Sequence, residues 1–293
     1  MLEVLENKLN ARRHWEPVKG IQAKWPPVDA YVGGLRPHIT SPTDNKKLQD
    51  ALFHFFAEGA PFDMTRARAP YMSRTKNFLR LASADLTILK FTAAQRLLPF
   101  ILSNLSTQGI IILRNPLSII GSVKMAGKRE EGWGERIVEQ SLDDSILELY
   151  PNTPLLHEKH ITTFDQLVIR VILDTVTPVF DPLCKEVGIF LPYEEAYEDP
   201  TLFDVAVERL GLSHISLGQA EVSRPSATTR DEKGLLGGQI VNRSWNDRLE
   251  THEIDRALEI MEAFGLSFYD DAKDCKINTL RKIGLKNLIV RGI

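Results

Sequence analysis

Arg114 and Ser122 are the two residues of this sequence whose types and spacing best fit binding chemistry. Arg114 follows directly on the apolar run Ile110–Leu113. Asn115 and Pro116 come next, a pair that typically caps a helix and begins it. Ser122 lies seven residues after the cap, about two helical turns, so it returns to the face of the cap. A guanidinium at a helix N-terminus favours an anion. From spacing alone it is equally open that Arg114 pairs with a nearby carboxylate and that Ser122 only packs.

The segments around these residues predict an α/β fold with a central parallel sheet flanked by helices. The apolar runs Leu86–Phe91 and Ile110–Leu113 lie on either side of a helical pattern at 92–104, and Val187–Tyr193 is a third strand candidate. Short β-branched runs with polar and glycine flanks are typical of buried parallel strands. Ligands bind at the carboxyl edge of such sheets, which is where Arg114 is expected to lie.

The remaining patterns are mostly helical, and we expect one domain over residues 1–293. The first helix is expected to end at His14–Val18, because a residue before proline is disfavoured in helical space. Asp199 as a cap followed by Pro200, and Thr251 followed by acidic residues in the first turn, predict the starts of two late helices. The predicted helices cover residues 1–11, 45–59, 135–149, 162–185, 200–210 and 251–264.

Composition and charge exclude several classes of protein. The chain has 36 Lys and Arg against 39 Asp and Glu, a net charge of −3, which argues against a general nucleic-acid binder. No apolar run approaches the roughly 18–20 residues of a membrane span. The two cysteines, Cys184 and Cys275, form no CxxC, so a reducing cytoplasm is the default expectation. The N-terminus lacks a basic region followed by an apolar one, so no signal peptide is expected.

A metal site is not expected from the sequence. His157 and His160 are three residues apart and could share a helix face, but no third ligand stands at a metal-binding spacing. The chain contains no GxSxG, HExxH or complete GxxxxGK[ST] motif. The glycine-rich stretch 234–238 follows no predicted strand, which favours a flexible loop over a phosphate-binding one.

In the order of its motifs, the chain resembles the sulfotransferases that use 3′-phosphoadenosine 5′-phosphosulfate (PAPS). That family carries an Arg at a strand end, then Asp or Asn and Pro, with a Ser eight residues after the Arg, as at Arg114 and Ser122 here. The resemblance runs in order from about residue 2 to 270. Its other matching segments are Lys90, Leu97-Leu98-Pro99, Tyr193-Glu194-Glu195, Asp199-Pro200, Leu210-Gly211, Arg224-Pro-Ser-Ala-Thr228, Trp245 and Gly265–Tyr269.

The resemblance implies which residues bind the donor nucleotide. Arg114 and Ser122 would bind the 3′-phosphate of PAPS. Tyr193 would approach the adenine, as the corresponding Tyr does in some members. Arg224 and Ser226 are candidates for donor contacts from a loop. PAPS would serve as co-substrate, without a metal ion.

The resemblance also implies catalytic residues, with one departure from the family pattern. Lys90 would lie near the transferred sulfuryl group. Cytosolic members carry a catalytic His two residues after this Lys, where this chain has Thr92. Some bacterial members use instead a Glu shortly after the first helix, and Glu16 occupies the corresponding place. The alternative for Glu16 is a solvated carboxylate before a proline.

A second departure concerns the loop that holds the 5′-phosphosulfate. In the family this loop opens the first helix, whereas this chain begins inside that helix. We expect that an upstream segment of the full gene supplies the loop, or that the chain is an inactive relative. The chain as given is therefore expected to have impaired activity.

The resemblance implies transfer of a sulfuryl group to a hydroxyl, less favourably to an amine, of a small-molecule or carbohydrate acceptor. No nucleic-acid or membrane partner is expected, and the sequence carries no signal for an oligomeric state. The alternative is a non-catalytic protein that binds a nucleotide or a partner on the same scaffold. A kinase with a related sheet is less favoured, because no acidic metal site follows a strand.

Overall fold

The computed structural model describes fifteen strands and helices within twelve separate stretches of the chain. The described residues are 8–9, 11–15, 50, 86–90, 95–104, 107–125, 144–151, 153, 162–212, 215, 248–270 and 276–291. The strands are β1 (Arg12–Trp15), β2 (Thr87–Lys90), β3 (Ile110–Leu113), β4 (Ile189–Pro192) and β5 (Asn287–Leu288). The helices are α1 (Leu98–Asn104), α2 (Pro116–Met125), α3 (Asp144–Leu149), α4 (Thr163–Thr175), α5 (Thr177–Phe180), α6 (Pro182–Val187), α7 (Tyr193–Glu198), α8 (Thr201–Arg209), α9 (Thr251–Ala263) and α10 (Ile277–Lys282), and a 3₁₀ turn at Gln95–Leu97 precedes α1.

All strand pairs that the structure describes are parallel, which confirms an α/β fold built on parallel strands with flanking helices. One sheet has the order β3-β4-β5, and β1 pairs with β2 in a second, two-stranded sheet. In the larger sheet Leu113 is the register partner of Pro192, so β3 and β4 end at the same level. In the smaller sheet Trp15 is the partner of Lys90. The three predicted strand segments each contain an observed strand.

The side chains of β4 alternate between two apolar cores. Phe190 lies in the larger core, which also takes in buried residues of α2, α4 and α9. Ile189 and Leu191 lie in the smaller core with α8. Successive side chains of a strand point to opposite faces, so a strand covered on both faces is apolar throughout. Ile88 of β2 and Ile110 of β3 both pack against the smaller core, which therefore joins the two sheets.

The helical conformation predicted over 162–185 is confirmed, but the segment forms three consecutive helices instead of one. Thr162 caps α4, and its hydroxyl accepts the Asp165 N–H at 3.1 Å. Asp181 caps α6, where its carboxylate accepts the Cys184 N–H at 2.8 Å. Pro178 and Pro182 stand in the first turns of α5 and α6. Proline lacks a backbone N–H and disfavours the helical conformation of the residue before it, so it fits the first turn of a new helix better than the middle of a long one.

Three other boundaries differ from the predictions. His14 and Trp15, which were expected to lie at the end of the first helix, belong to β1 and pair with β2. The strand predicted over Val187–Tyr193 is shorter, because Val187 ends α6 and Tyr193 begins the short helix α7. Helix α8 begins at Thr201, with Pro200 at the cap rather than inside the helix. The structure describes only small parts of three other predicted helices. These parts are Lys8–Leu9 and Ala11 in the helix at 1–11, Asp50 in the helix at 45–59, and the residues from Asp144 onward in the helix at 135–149.

No helix within the described ranges is long and apolar enough to cross a membrane. The longest two, α4 and α9, have 13 residues each. Both have a buried apolar face in the larger core. Their apolar residues are therefore accounted for by packing within the protein.

Gly188 and Gly109 provide a matched test of packing between β3 and β4. They precede the two strands, and the Ile189 N–H donates to the Gly109 carbonyl at 3.0 Å. A Cβ on Gly188 would lie 2.6 Å from Ile111 Cδ1 and 2.7 Å from the Cys184 carbonyl oxygen. A Cβ on Gly109 would meet nothing closer than 3.5 Å, at Leu102.

We expect Gly188→Ala to lower the free energy of unfolding by about 1–3 kcal/mol, because the methyl group overpacks the strand junction. Gly109→Ala should change it by less than about 1 kcal/mol. Urea denaturation of both variants measures the difference. Equal effects at the two positions would contradict the described packing.

Candidate anion-binding site

Arg114 lies at the carboxyl end of β3, beside the end of β4. Its Nη2 donates to Ser118 Oγ at 3.1 Å, and its Cζ lies 5.4 Å from the centre of the Tyr193 ring. Tyr193 follows Pro192, the register partner of Leu113, so the two side chains leave adjacent strands at the same level. A guanidinium over an aromatic face is attracted by the ring's electron density. The β3–β4 register therefore sets Arg114 against Tyr193.

The charge of Arg114 is not neutralised by any carboxylate that the structure describes within ion-pair distance. Its Nε is buried and has no hydrogen-bond acceptor in this part of the chain. The alternative that Arg114 pairs with a nearby carboxylate is therefore not observed among these residues. A partly buried cation with a neutral partner has donor capacity left for an anion. These features fit an anionic ligand.

The N-terminus of α2 confirms the predicted cap but is already occupied by groups of the chain. Asn115 Oδ1 accepts the Leu117 N–H at 3.0 Å, and the Asn115 carbonyl accepts the Ser118 N–H at 3.0 Å. The Asn115 N–H itself donates to Glu194 Oε1 at 2.8 Å. Glu194 is only 2% exposed, so a carboxylate of the chain fills this position. A ligand at this site must therefore rely on side chains rather than on these N–H groups.

Ser122 is connected to Arg114 through Ser118 rather than directly. The Ser122 hydroxyl donates to the Ser118 carbonyl oxygen at 2.9 Å, one helical turn back. Arg248, which comes just before α9, donates from Nη1 to Ser122 Oγ at 3.3 Å. Two guanidinium groups thus contact hydroxyls on adjacent turns of α2. The side chains of this site are those of Arg114, Ser118, Ser122, Tyr193 and Arg248.

Ser118 and Arg248 are the members of this site that the sequence analysis missed. Ser118 could have been found, because it lies four residues after Arg114 and so returns to its face of the helix. Arg248 lies 126 residues after Ser122, and no local periodicity links residues so far apart. Its position after Trp245, within a segment that resembles the family, was the one available signal.

The other predicted site residues are not brought into the site by the described part of the structure. Lys90 ends β2, and only its backbone is described; its register partner is Trp15, the residue before Glu16. Glu16, Arg224 and Ser226 lie outside the described residues. The catalytic and loop assignments therefore remain predictions.

Burial and charge act in opposite directions on Tyr193. Burial raises the pKa of the phenol, while the positive charge of Arg114 lowers it, and the net shift is upward. The hydroxyl is therefore neutral near pH 7 and can both donate and accept a hydrogen bond. The described residues contain no cluster of three or more His, Cys, Asp or Glu that could hold a metal ion. His157 and His160 fall outside them.

The arrangement can bind an anion beside a flat aromatic surface. The two guanidinium groups provide N–H donors for phosphate or sulfate oxygens, and the Ser118 hydroxyl can add another. Comparisons with known proteins add no relative, since no family model, no curated protein and no solved structure matches this chain. Support for a function therefore comes from the sequence motifs that resemble the sulfotransferases and from the geometry of this site.

The buried Glu194 carboxylate offers a test of how the site is held together. Glu194→Ala would leave the buried Asn115 N–H without its acceptor, which costs about 1–3 kcal/mol of unfolding free energy. Glu194→Gln keeps an acceptor oxygen and should lose less. Denaturant unfolding of both variants measures the difference. An equal loss for both would show that the negative charge, rather than the hydrogen bond, is what matters.

Proposed function

We propose that this chain is a sulfotransferase, which moves a sulfuryl group from PAPS to a hydroxyl of a small-molecule or carbohydrate acceptor. The observation that carries the proposal is the Arg114 guanidinium, held by Ser118 and Tyr193 at the carboxyl end of β3 with no described carboxylate partner. The finer fold assignment, a sulfotransferase-type sheet in one domain, belongs to the same proposal. Its further support is the order of motifs along the chain.

The donor's 3′-phosphate would be bound by Arg114 and Ser122. Arg114 lies directly before α2 and Ser122 lies within it, so the geometry of this one helix fixes the distance between the two residues. Tyr193 lies against Arg114 and is suited to approach the adenine beside this phosphate. Arg224 and Ser226 are proposed to add donor contacts from their loop. The charged groups give the site a preference for phosphate esters over neutral nucleosides.

The catalytic residues proposed are Glu16 and Lys90. When bound, PAPS supplies the sulfuryl group. Glu16 would take the proton of the acceptor hydroxyl as its oxygen bonds to sulfur, an effect worth roughly 10²–10⁴-fold in rate. Lys90 would stabilise the negative charge that develops on the 5′-phosphate oxygen as its bond to sulfur breaks. The pairing of Trp15 with Lys90 supports a common location, because Glu16 is the next residue after Trp15.

A second candidate function is nucleotide binding without catalysis on the same scaffold. The specific observation in its favour is Thr92, which stands where cytosolic sulfotransferases carry a catalytic His. A threonine hydroxyl does not act as a base near neutral pH. Incubation with sulfur-labelled PAPS and a mixture of sugars, phenols and alcohols separates the two candidates. Transfer of label supports the enzyme. Binding of nucleotide without transfer, in a protein that includes the expected upstream phosphosulfate loop, supports the second candidate.

We expect 3′-phosphoadenosine 5′-phosphate (PAP) to raise the melting temperature of the chain. Saturation at 100 times the dissociation constant corresponds to about 2.7 kcal/mol of stabilisation. Arg114→Ala should weaken PAP binding about tenfold or more, since a charge-assisted hydrogen bond contributes about 1.5–3 kcal/mol. Calorimetric titration and thermal unfolding measure both effects.

The control variant for this experiment is Arg209→Ala, which removes an equal charge from the exposed end of α8. It should leave PAP binding unchanged, because Arg209 lies in a different helix from the site. Failure of the unaltered chain to bind PAP would refute both candidate functions. An equal loss in the two variants would point to general charge attraction instead of a specific site.

A further inference from the structure

The segment Arg248–Glu253 contacts α2 at two separate points. Arg248 donates to the Ser122 hydroxyl, as described above. Glu253 forms an ion pair with Lys124, with both carboxylate oxygens 2.5 Å from Nζ. Ser122 and Lys124 are two residues apart in the last turns of α2. We refer to the Lys124–Glu253 ion pair as the clasp.

Glu253 also fixes the backbone immediately after Arg248. Its Oε2 accepts the Glu250 N–H at 2.9 Å, and the Glu250 side chain accepts the N–H of Glu253 in return. This reciprocal pair is a capping box, which defines how the chain enters a helix. Glu250 is two residues after Arg248, so the same carboxylate that binds Lys124 holds the turn from which Arg248 extends. The clasp and the contact to Ser122 are therefore parts of one arrangement.

The clasp is more shielded from solvent than the neighbouring His252–Glu250 contact. The side chain of Glu253 is 14% exposed and that of Lys124 is 31% exposed, whereas His252 and Glu250 are 76% and 74% exposed. Burial tends to raise the pKa of Glu253, but the hydrogen bonds from Lys124 and Glu250 outweigh it and hold the pKa below its ordinary value. Glu253 is therefore ionised at neutral pH, where the clasp is intact.

We propose that Glu253 is a positioning residue of the anion site, because the clasp holds Arg248 against Ser122. This inference rests on the proposed function and assigns a second arginine to the 3′-phosphate site. Arg114 and Arg248 contact serines one turn apart, Ser118 and Ser122. A pair of guanidinium groups suits a doubly charged phosphate monoester better than a singly charged anion.

The test compares two variants that each break one ion pair of helix α9. Glu253→Gln removes the charge of the clasp, while glutamine at this position can still complete the capping box. Asp165→Asn breaks the pair with Arg256 that joins α9 to α4, where Asp165 Oδ2 lies 3.0 Å from Arg256 Nη2. The Asp165 side chain is 6% exposed, so this control neutralises a carboxylate that is no more exposed than Glu253.

We expect Arg248→Ala to weaken PAP binding about tenfold, the loss of one charge-assisted hydrogen bond. Glu253→Gln should weaken it about fivefold, within the range of coupling between neighbouring residues. The double variant should be no weaker than Arg248→Ala alone, because Glu253 acts through Arg248. Asp165→Asn should lower the melting temperature and leave PAP affinity unchanged.

Adenosine 5′-phosphate, which lacks the 3′-phosphate, should bind equally to the unaltered chain and to Glu253→Gln. Titration calorimetry gives each constant.

The outcomes separate this inference from the proposed function. Loss of PAP binding in Arg114→Ala with no effect of Glu253→Gln or Arg248→Ala would overturn the inference alone. Equal losses in Glu253→Gln and Asp165→Asn, or additive losses in the double variant, would also overturn it, because Glu253 would then act through general stability or independently of Arg248. If the unaltered chain binds no PAP, the proposed function fails and this inference fails with it.

Discussion

The hydrogen bond from the Asn115 N–H to the buried carboxylate of Glu194 joins the ends of two parallel strands. Asn115 is the second residue after β3, and Glu194 is the second residue after β4. The register of the two strands brings these residues to the same level. Because Arg114 precedes Asn115 and Tyr193 precedes Glu194, this one bond also fixes which side chains meet at the edge of the sheet. The position of the Arg114 guanidinium depends on it.

The N-terminus of α2 differs from a typical anion-binding helix N-terminus, because groups of the chain itself already accept its N–H hydrogen bonds. Helix N-termini commonly hold anions through their free N–H groups. Here a carboxylate of the chain accepts the N–H of the cap, and the cap's own side chain accepts the N–H of Leu117. The proposed anion would therefore be recognised by arginines and serines. Binding should therefore depend on the charge and direction of the guanidinium groups more than on the dipole of α2.

Local signals predicted some parts of the fold well. The bounds of β3, the Asn115 cap and the start of α9 at Thr251 follow from residues within a few positions, and Gly265 has the positive φ of 76° that ends that helix. Pro178 and Pro182 indicate that the helix over 162–185 is interrupted, whereas the continuous apolar pattern favours a single helix. Strand β1 could not be predicted, since its residues take their conformation from pairing with β2. The Arg248–Ser122 contact likewise depends on tertiary packing.

Helix α2 explains why contacts that are distant in sequence can form one site. Leu117 and Ile120 are fully buried in the larger core, where α2 packs against α4. The same helix presents Ser118 and Ser122 to the two arginines and Lys124 to Glu253. An element anchored by its apolar residues has little freedom to rotate, because well-packed interiors resist displacement of their side chains. The spacing of the serines is thus set by helix geometry and their orientation by the core. The arginines need only be directed onto them, Arg114 by the strand register and Arg248 by the clasp.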